Sequence, residues 1–209
     1  MNNTANILLG LVLCGGKSSR MGTDKGQLRK DGRPWSIHMA DRLESLGLKT
    51  YLSINPLQQE AYGQIFPSES LVIDQVDVEG PLAGLLSIHQ LFPEADILVL
   101  PCDMIDVETP LLQRLMDIRR QIVQADVYLF EKEEQVEPMC AIYTASGLQK
   151  LSIEYKNARL TNFSVRRAIK NLCAVKLPAA GNRKDFRNYN TPAHVRKWQK
   201  TDFFDPTLF

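Results

Sequence analysis

Leu13-Cys14-Gly15-Gly16-Lys17-Ser18-Ser19-Arg20-Met21-Gly22-Thr23-Asp24-Lys25 sets three glycines and three cations directly after an apolar run over residues 7–13. The apolar run reads as a buried parallel strand. A glycine pair at its end lets backbone N–H groups approach an anion with no Cβ in the way. Lys17, Arg20 and Lys25 lie at offsets that reach different oxygens of one polyphosphate, and Arg20 has the planar fork suited to phosphate. The chemistry implied is the holding of a nucleoside triphosphate at the carboxyl edge of a sheet, with Lys25 at the α-phosphate. Two commoner phosphate loops are excluded. Gly16 and Gly22 are too far apart for G-x-x-x-x-G-K-[ST], and Gly15-Gly16-Lys17 breaks G-x-G-x-x-G.

Further polar residues close other apolar runs: Ser53 and Asn55 at one, Asp74 at a second, Asp103 at a third. Ligands of open α/β sheets sit outside the carboxyl ends of the strands, so all could face one crevice. Asp103 is a hard oxygen ligand for Mg²⁺. Asp74 suits a base offering two adjacent N–H donors, as guanine does, and Asn55 or Ser53 suits base or ribose. Competing readings are a turn cap for Asp24, a strand-end turn for Asp74, surface positions for Asp77 and Asp106, and a core position for His89. Cys102 lacks the cation-rich surroundings of a thiolate nucleophile.

The elements that must position these residues follow from periodicity. Strands are expected at 50–54, 71–73 and 97–100, alternating with helices at 35–46, 58–66, from Gly80-Pro81 onward, and from Thr109-Pro110 to about residue 120. That is the repeated β-α of a doubly wound sheet. Later, strands at 126–130 and 137–143 flank an acidic hairpin tip at 131–134. Helices are expected at 148–155, 164–171 and 191–198, with extended stretches at 173–177 and 186–189. Neither repeat nor linker interrupts the chain, so one domain over 1–209 is expected.

Bulk composition agrees with a soluble globular protein: 209 residues, 44% apolar, 23% charged, formal net charge +1. Such a balance argues against nucleic acid or an anionic membrane as partner. Four cysteines without a C-x-x-C pair and three histidines argue against zinc, and the thiols read as reduced, in the cytoplasm. The apolar run ending at Cys14 lacks a basic segment before it, is too short to span a bilayer, and has Leu13 where a lipoprotein site wants a small residue.

L-x-G-G-x-S-x-R-M-G-x-D-K, as it stands over residues 13–25, closely resembles the signature of nucleotidyltransferases related to molybdenum cofactor guanylyltransferase. Gly80-Pro81-Leu82-Ala83-Gly84, Pro101-Cys102-Asp103-Met104, Glu137-Pro138-Met139-Cys140-Ala141-Ile142-Tyr143 and Asn188-Tyr189-Asn190-Thr191-Pro192 are similar to later segments of that family, in the same order. The resemblance implies an α/β, Rossmann-like three-layer sandwich of the nucleoside-diphospho-sugar transferase type, with a mostly parallel sheet and a small antiparallel extension. It implies transfer of GMP from GTP to the terminal phosphate of the molybdopterin cofactor with release of pyrophosphate, Mg²⁺ on Asp103, and molybdopterin-handling and molybdoenzyme proteins as partners. Leu13, Cys14, Gly15, Lys25, Asp74 and Asp103 would contact the nucleotide. From the residues themselves, Gly16, Lys17, Ser53, Asn55 and Gly80 join them, with Lys25, Asp103 and Arg20 catalytic. Departures are Cys14 for the usual alanine, Ser53 for asparagine and Ile105 for proline. Val165-Arg166-Arg167 is similar to a segment on the pterin side. Gly15-Gly16 and Asp24 favour the guanylyl branch over cytidylyl or sugar-1-phosphate siblings, and Lys25 with Asp103 favours an enzyme over a nucleotide-binding delivery module.

Overall fold

The computed structural model describes residues 6–15, 24–78, 80–160, 163–179, 186 and 189. Apolar runs too short for helices form β1 (Leu8–Leu13), β4 (Thr50–Ile54), β5 (Leu71–Ile73) and β6 (Asp96–Pro101). These four lie side by side and parallel in the order β5-β4-β1-β6. Beyond β6 come β8 (Gln135–Tyr143), β7 (Val127–Lys132) and β9 (Ala174–Pro178), completing seven strands. Only β8 runs against its neighbours, so the sheet is mostly parallel, as expected.

Helices cover both faces. Trp35, Met39 and Leu43 of α1 (Trp35–Ser45) pack with Leu112 and Leu115 of α4 (Thr109–Gln121) on Val12, Leu52 and Leu98. Opposite, Leu82, Leu85 and Ile88 of α3 (Pro81–Leu91) pack with Leu148 and Leu151 of α5 (Ala145–Lys156) on Leu11, Val99 and Leu129. These two apolar layers make the three-layer sandwich. Burial of Leu82 through His89 all round explains why α3 is apolar rather than amphipathic. No helix among the described residues is long and apolar enough to cross a membrane.

Several boundaries move for local reasons. The helix expected at 58–66 is a 3-10 turn, Pro56–Gln58, followed by the short α2 (Gln59–Gly63). α5 begins at Ala145, before its apolar periodicity, because the Thr144 hydroxyl accepts the Gly147 N–H at 3.1 Å. Both hairpin strands run further than their apolar runs, to Lys132 and from Gln135, with Glu133 and Glu134 alone as the turn at φ 49° and 63°. A second ribbon was missed: β2 (Arg29–Lys30) and β3 (Arg33–Pro34) pair around Asp31-Gly32 at φ 50° and 76°. Its Asp-Gly turn signal was present in the sequence. The segment expected as helix 164–171 is α6 (Val165–Ala168) plus a 3-10 turn. The helix at 191–198 lies outside the described residues, as does most of the stretch 186–189.

Candidate active site

Strand register alone brings the candidate residues together. Leu13 pairs with Ser53 on one side and Pro101 on the other, and Ser53 pairs with Val72. Two residues further along each parallel strand stand Gly15, Asn55, Asp103 and Asp74. They form one row along the carboxyl edge.

Asp74 is half-buried, and the Ser53 hydroxyl donates to its Oδ1 at 2.7 Å. Its other oxygen, Oδ2, faces Gly15, where a Cβ would come within 2.7 Å. Glycine at 15 is therefore what lets the carboxylate sit there. Burial pushes the Asp74 carboxyl up to about 6, although the Ser53 hydrogen bond pulls it down. Ser53 is 1% exposed with its hydroxyl committed to Asp74, so its place is as support for that carboxylate rather than as a direct ligand. Beneath it, α3 approaches so closely that a Cβ on Gly84 would meet Ser53 Oγ at 2.3 Å.

At the other end of the row, Lys25 Nζ donates to Asp103 Oδ2 at 2.8 Å. Asp103 is 7% exposed, and its Oδ1 takes no hydrogen bond from a described residue. A hard carboxylate oxygen at the strand edge suits Mg²⁺, which is commonly held by one or two carboxylates plus substrate phosphates. Asp103 thus fits a metal arriving with a nucleotide, and no cluster of three or more His, Cys, Asp or Glu occurs among the described residues to cage one without it.

Leu13, Cys14 and Gly15 lie where expected, but their backbone groups are largely committed. The N–H groups of Cys14 and Gly15 both donate to Ser53 O at 2.9 Å, and Leu13 O accepts from Cys102 N. The N–H groups of Cys14 and Gly15 are thus not offered to an anion; Gly16, Lys17 and Arg20 lie outside the described residues. Asn55 stands at the rim, with its side-chain oxygen accepting Leu57 N–H at 2.9 Å. Gly80 is the N-cap of α3 at φ 82°, a conformation that favours glycine.

Neighbouring readings are resolved by contacts. Asp24 caps the turn Lys25–Gln27, accepting Gly26 N–H at 2.9 Å. Asp106 accepts from the Tyr189 hydroxyl at 2.5 Å, tying a residue of the Asn188-Tyr189-Asn190 motif to the body, and Asp77 is exposed. His89 is 3% exposed and bonded to Gln149. Cys102 is buried, and the adjacent Cys14 thiol together with burial pushes its pKa up, which keeps it a neutral thiol. Sequence reasoning missed Gln58. Its signal was available: Asn55-x-x-Gln58 after a strand is a capping box, and both reciprocal hydrogen bonds are present. Beyond Asp103, toward the β7–β8 hairpin, lies a cavity of about 230 Å³ lined by Phe130, Lys132, Gln135, Glu137, Arg166 and Phe186.

The family described as MobA-like NTP transferase domain matches residues 10–172. A molybdenum cofactor guanylyltransferase of Xanthomonas euvesicatoria pv. vesicatoria is 30% identical over 185 residues, covering 88% of this chain and 89% of that one. A molybdenum cofactor biosynthesis bifunctional protein of Synechocystis sp. is 32% identical over 144 residues, which span 68% of this chain and 40% of that longer protein. The crystal structure of molybdopterin-guanine dinucleotide biosynthesis protein A from Archaeoglobus fulgidus shares the fold, with a TM-score of 0.73 at 20% identity over 92% of this chain and 97% of that one. Register, rim and sequence matches agree, and the chain belongs to the MobA-like NTP transferase family, as an enzyme of the nucleotidyltransferase type.

Proposed function

We propose that the chain transfers GMP from GTP to the terminal phosphate of molybdenum-molybdopterin, releasing pyrophosphate, as a step of molybdenum cofactor biosynthesis. The observation that carries this reading is the single row holding Asp74 at one end and the Lys25–Asp103 pair at the other. Asp74 accepts from guanine N1–H and the exocyclic amine. Gly15, lacking a Cβ, lets that carboxylate lie against the strand end where the base is received. Lys25 neutralises charge on the α-phosphate, while Lys17 and Arg20 favour departure of pyrophosphate.

An oxygen of the acceptor's terminal phosphate attacks the α-phosphorus as the bond to the bridging oxygen of the β-phosphate breaks. The acceptor oxygen is already ionised, so no base is needed, and catalysis consists of positioning plus charge neutralisation. Mg²⁺, held by Asp103 and phosphate oxygens, would supply Lewis-acid stabilisation of the phosphoryl charge. The acceptor approaches from the side of the cavity bounded by Phe130, Phe186 and Arg166. The sibling guanylyltransferase from Xanthomonas supports the choice of both substrates.

Pyrophosphate release, measured with GTP or CTP, Mg²⁺ and molybdopterin cofactor, tests the proposal. Release with GTP is the expected result. Preference for CTP rejects the guanylyl assignment, and GTP binding without release in the presence of cofactor favours a delivery module.

A further inference from the structure

One side-chain amide grips both stems of the segment that carries Lys17 and Arg20. Gln58 Nε2 donates to Cys14 O at 3.0 Å and to Asp24 Oδ2 at 2.6 Å. Its Oε1 accepts Asn55 N–H at 2.9 Å. The orientation of the amide is chemically unique. Flipped, the NH₂ would face the Asn55 N–H, donor against donor, and the oxygen would face a carbonyl and a carboxylate. Glutamine is also the only one of the common side chains of this length that donates twice and accepts once here without carrying charge.

Asp24 is held from its other side as well. Its Oδ1 accepts from Gly26 N–H at 2.9 Å and from the Tyr62 hydroxyl at 3.2 Å. Tyr62 is fully buried, and burial pushes its pKa up, so the phenol keeps its proton and stays a donor. A Cβ on Gly26 would lie 2.0 Å from the Tyr62 oxygen, so the turn packs directly on this anchor. Lys25 stands between these two fixed residues, and its ammonium meets Asp103. Cys14, on the other stem, immediately precedes Gly15, against which Asp74 lies.

We propose, resting on the nucleotidyl-transfer reading above, that Gln58 is a positioning residue which sets the distance between the base end of the rim at Gly15 and the phosphate end at Lys25 by holding Cys14 and Asp24 on one planar amide. It does not touch the reacting atoms; it fixes where Lys25 stands relative to a base seated on Asp74. Misplacement of such a group by about 1 Å can cost on the order of a hundredfold in rate.

Exchanging donor and acceptor at the contact tests it. Gln58→Glu keeps the shape and sets a carboxylate against Asp24 and against the Cys14 carbonyl. Asp24→Asn sets two NH₂ groups face to face. Combined, D24N/Q58E restores an N–H···O contact to position 24 with donor and acceptor exchanged, while the Cys14 carbonyl still faces a carboxylate. Each single variant is expected to raise the nucleotide KM about tenfold and lower kcat about tenfold, with the double variant recovering the part of the loss that belongs to the contact with position 24. A merely structural role would lower the melting midpoint and the active fraction while leaving the nucleotide KM of the folded enzyme unchanged. Wild-type kinetics in Q58E, or a double variant no better than the worse single, would overturn the proposal. Should Q58E not fold, the uncharged Gln58→Met is expected to fold and to show the same KM and kcat changes, and wild-type values there overturn it equally. Runs with GTP and CTP in parallel keep the two readings apart. If the wild type uses CTP, the guanylyl assignment fails and the clamp is judged on CTP. If it turns over neither, calorimetric nucleotide affinity is the readout, with a tenfold weakening in Q58E or Q58M expected and unchanged affinity overturning the clamp.

Discussion

Asp74 serves two opposed demands on one carboxylate. Folding half-buries it, and this raises its pKa to about 6, above the ordinary value of about 3.9. Below that ordinary value both folded and unfolded chains hold the proton, so no penalty arises. Between roughly pH 4 and pH 6 the unfolded chain ionises first, so the Asp74 contribution to stability falls as pH rises and then levels off. The proposed contact with guanine needs the ionised form, so on that proposal GTP affinity is expected to climb as pH passes about 6. Asp74→Asn should then raise the melting midpoint at neutral pH, weaken GTP binding about ten- to a hundredfold, as for loss of a charge-assisted hydrogen bond, and abolish the pH dependence. Urea unfolding and calorimetry at a series of pH values check both halves. At the other end of the row, Lys25→Ala should lower kcat by about 10²–10³ with a smaller change in the nucleotide KM, by comparison with other preorganised electrostatic donors. Steady-state kinetics with saturating cofactor measures it, and normal turnover would remove Lys25 from the chemistry.

At the scale of elements, the site depends on how closely α3 rides on β4 and β1. The helix has no side chain at Gly84, where a Cβ would lie 2.6 Å from Leu13 Cδ2 as well as against Ser53. Gly84→Ala should therefore destabilise the fold by about 1–3 kcal/mol through overpacking. It should also raise the GTP KM, because the displaced hydroxyl is the one that steadies Asp74. Denaturant titration and kinetics on the folded protein separate the two effects. Which parts of this geometry could be read from sequence depends on the length over which the signal acts. Strand ends at Gly15, Asn55, Asp74 and Asp103 were legible, because a mainly apolar run broken by a glycine or a polar residue marks where a chain leaves the sheet. The β2–β3 ribbon escaped because two-residue strands carry no periodicity. For Gln58 only the capping of Asn55 carries a local signal; its grip on Cys14 and Asp24 does not, because those partners are 44 and 34 residues away. Ser53 was placed at the right strand end but assigned to the ligand, since nothing local reveals that its hydroxyl is buried against Asp74.

Across the whole molecule, the two rims of the sheet are built on opposite principles. At the amino rim of β6, Asp96 is nearly fully buried and accepts from Arg119 Nε at 2.7 Å, Ala145 N at 2.8 Å and Asn6 Nδ2 at 3.2 Å. Asp126 is likewise surrounded by donors: Lys150, Ser146 and the Cys173 N–H. These carboxylates join distant segments, and each of their oxygens already accepts from a donor of the chain. Asp96→Ala strands a partly buried guanidinium and a buried N–H, and should cost about 1–3 kcal/mol of stability while leaving the GTP affinity of the folded protein unchanged. A shifted affinity would mean that the rims are coupled through the sheet. The carboxyl rim instead keeps Asp74 and Asp103 only partly satisfied, which is the condition for charge to be available to a substrate.

The reversed course of β8 has its own outcome. Because this one strand runs against β6 and β7, its first residues and the turn at Glu133 and Glu134 emerge above the same edge as the parallel strand ends. The ribbon stands there like a parapet, rooted in the floor but not part of it. Lengthening or trimming it two residues at a time would reshape the doorway for an incoming partner molecule while the row from Asp74 to Asp103 keeps its dimensions. Such a layout puts the approach proposed for the acceptor and the row proposed for the nucleotide on separate pieces of chain.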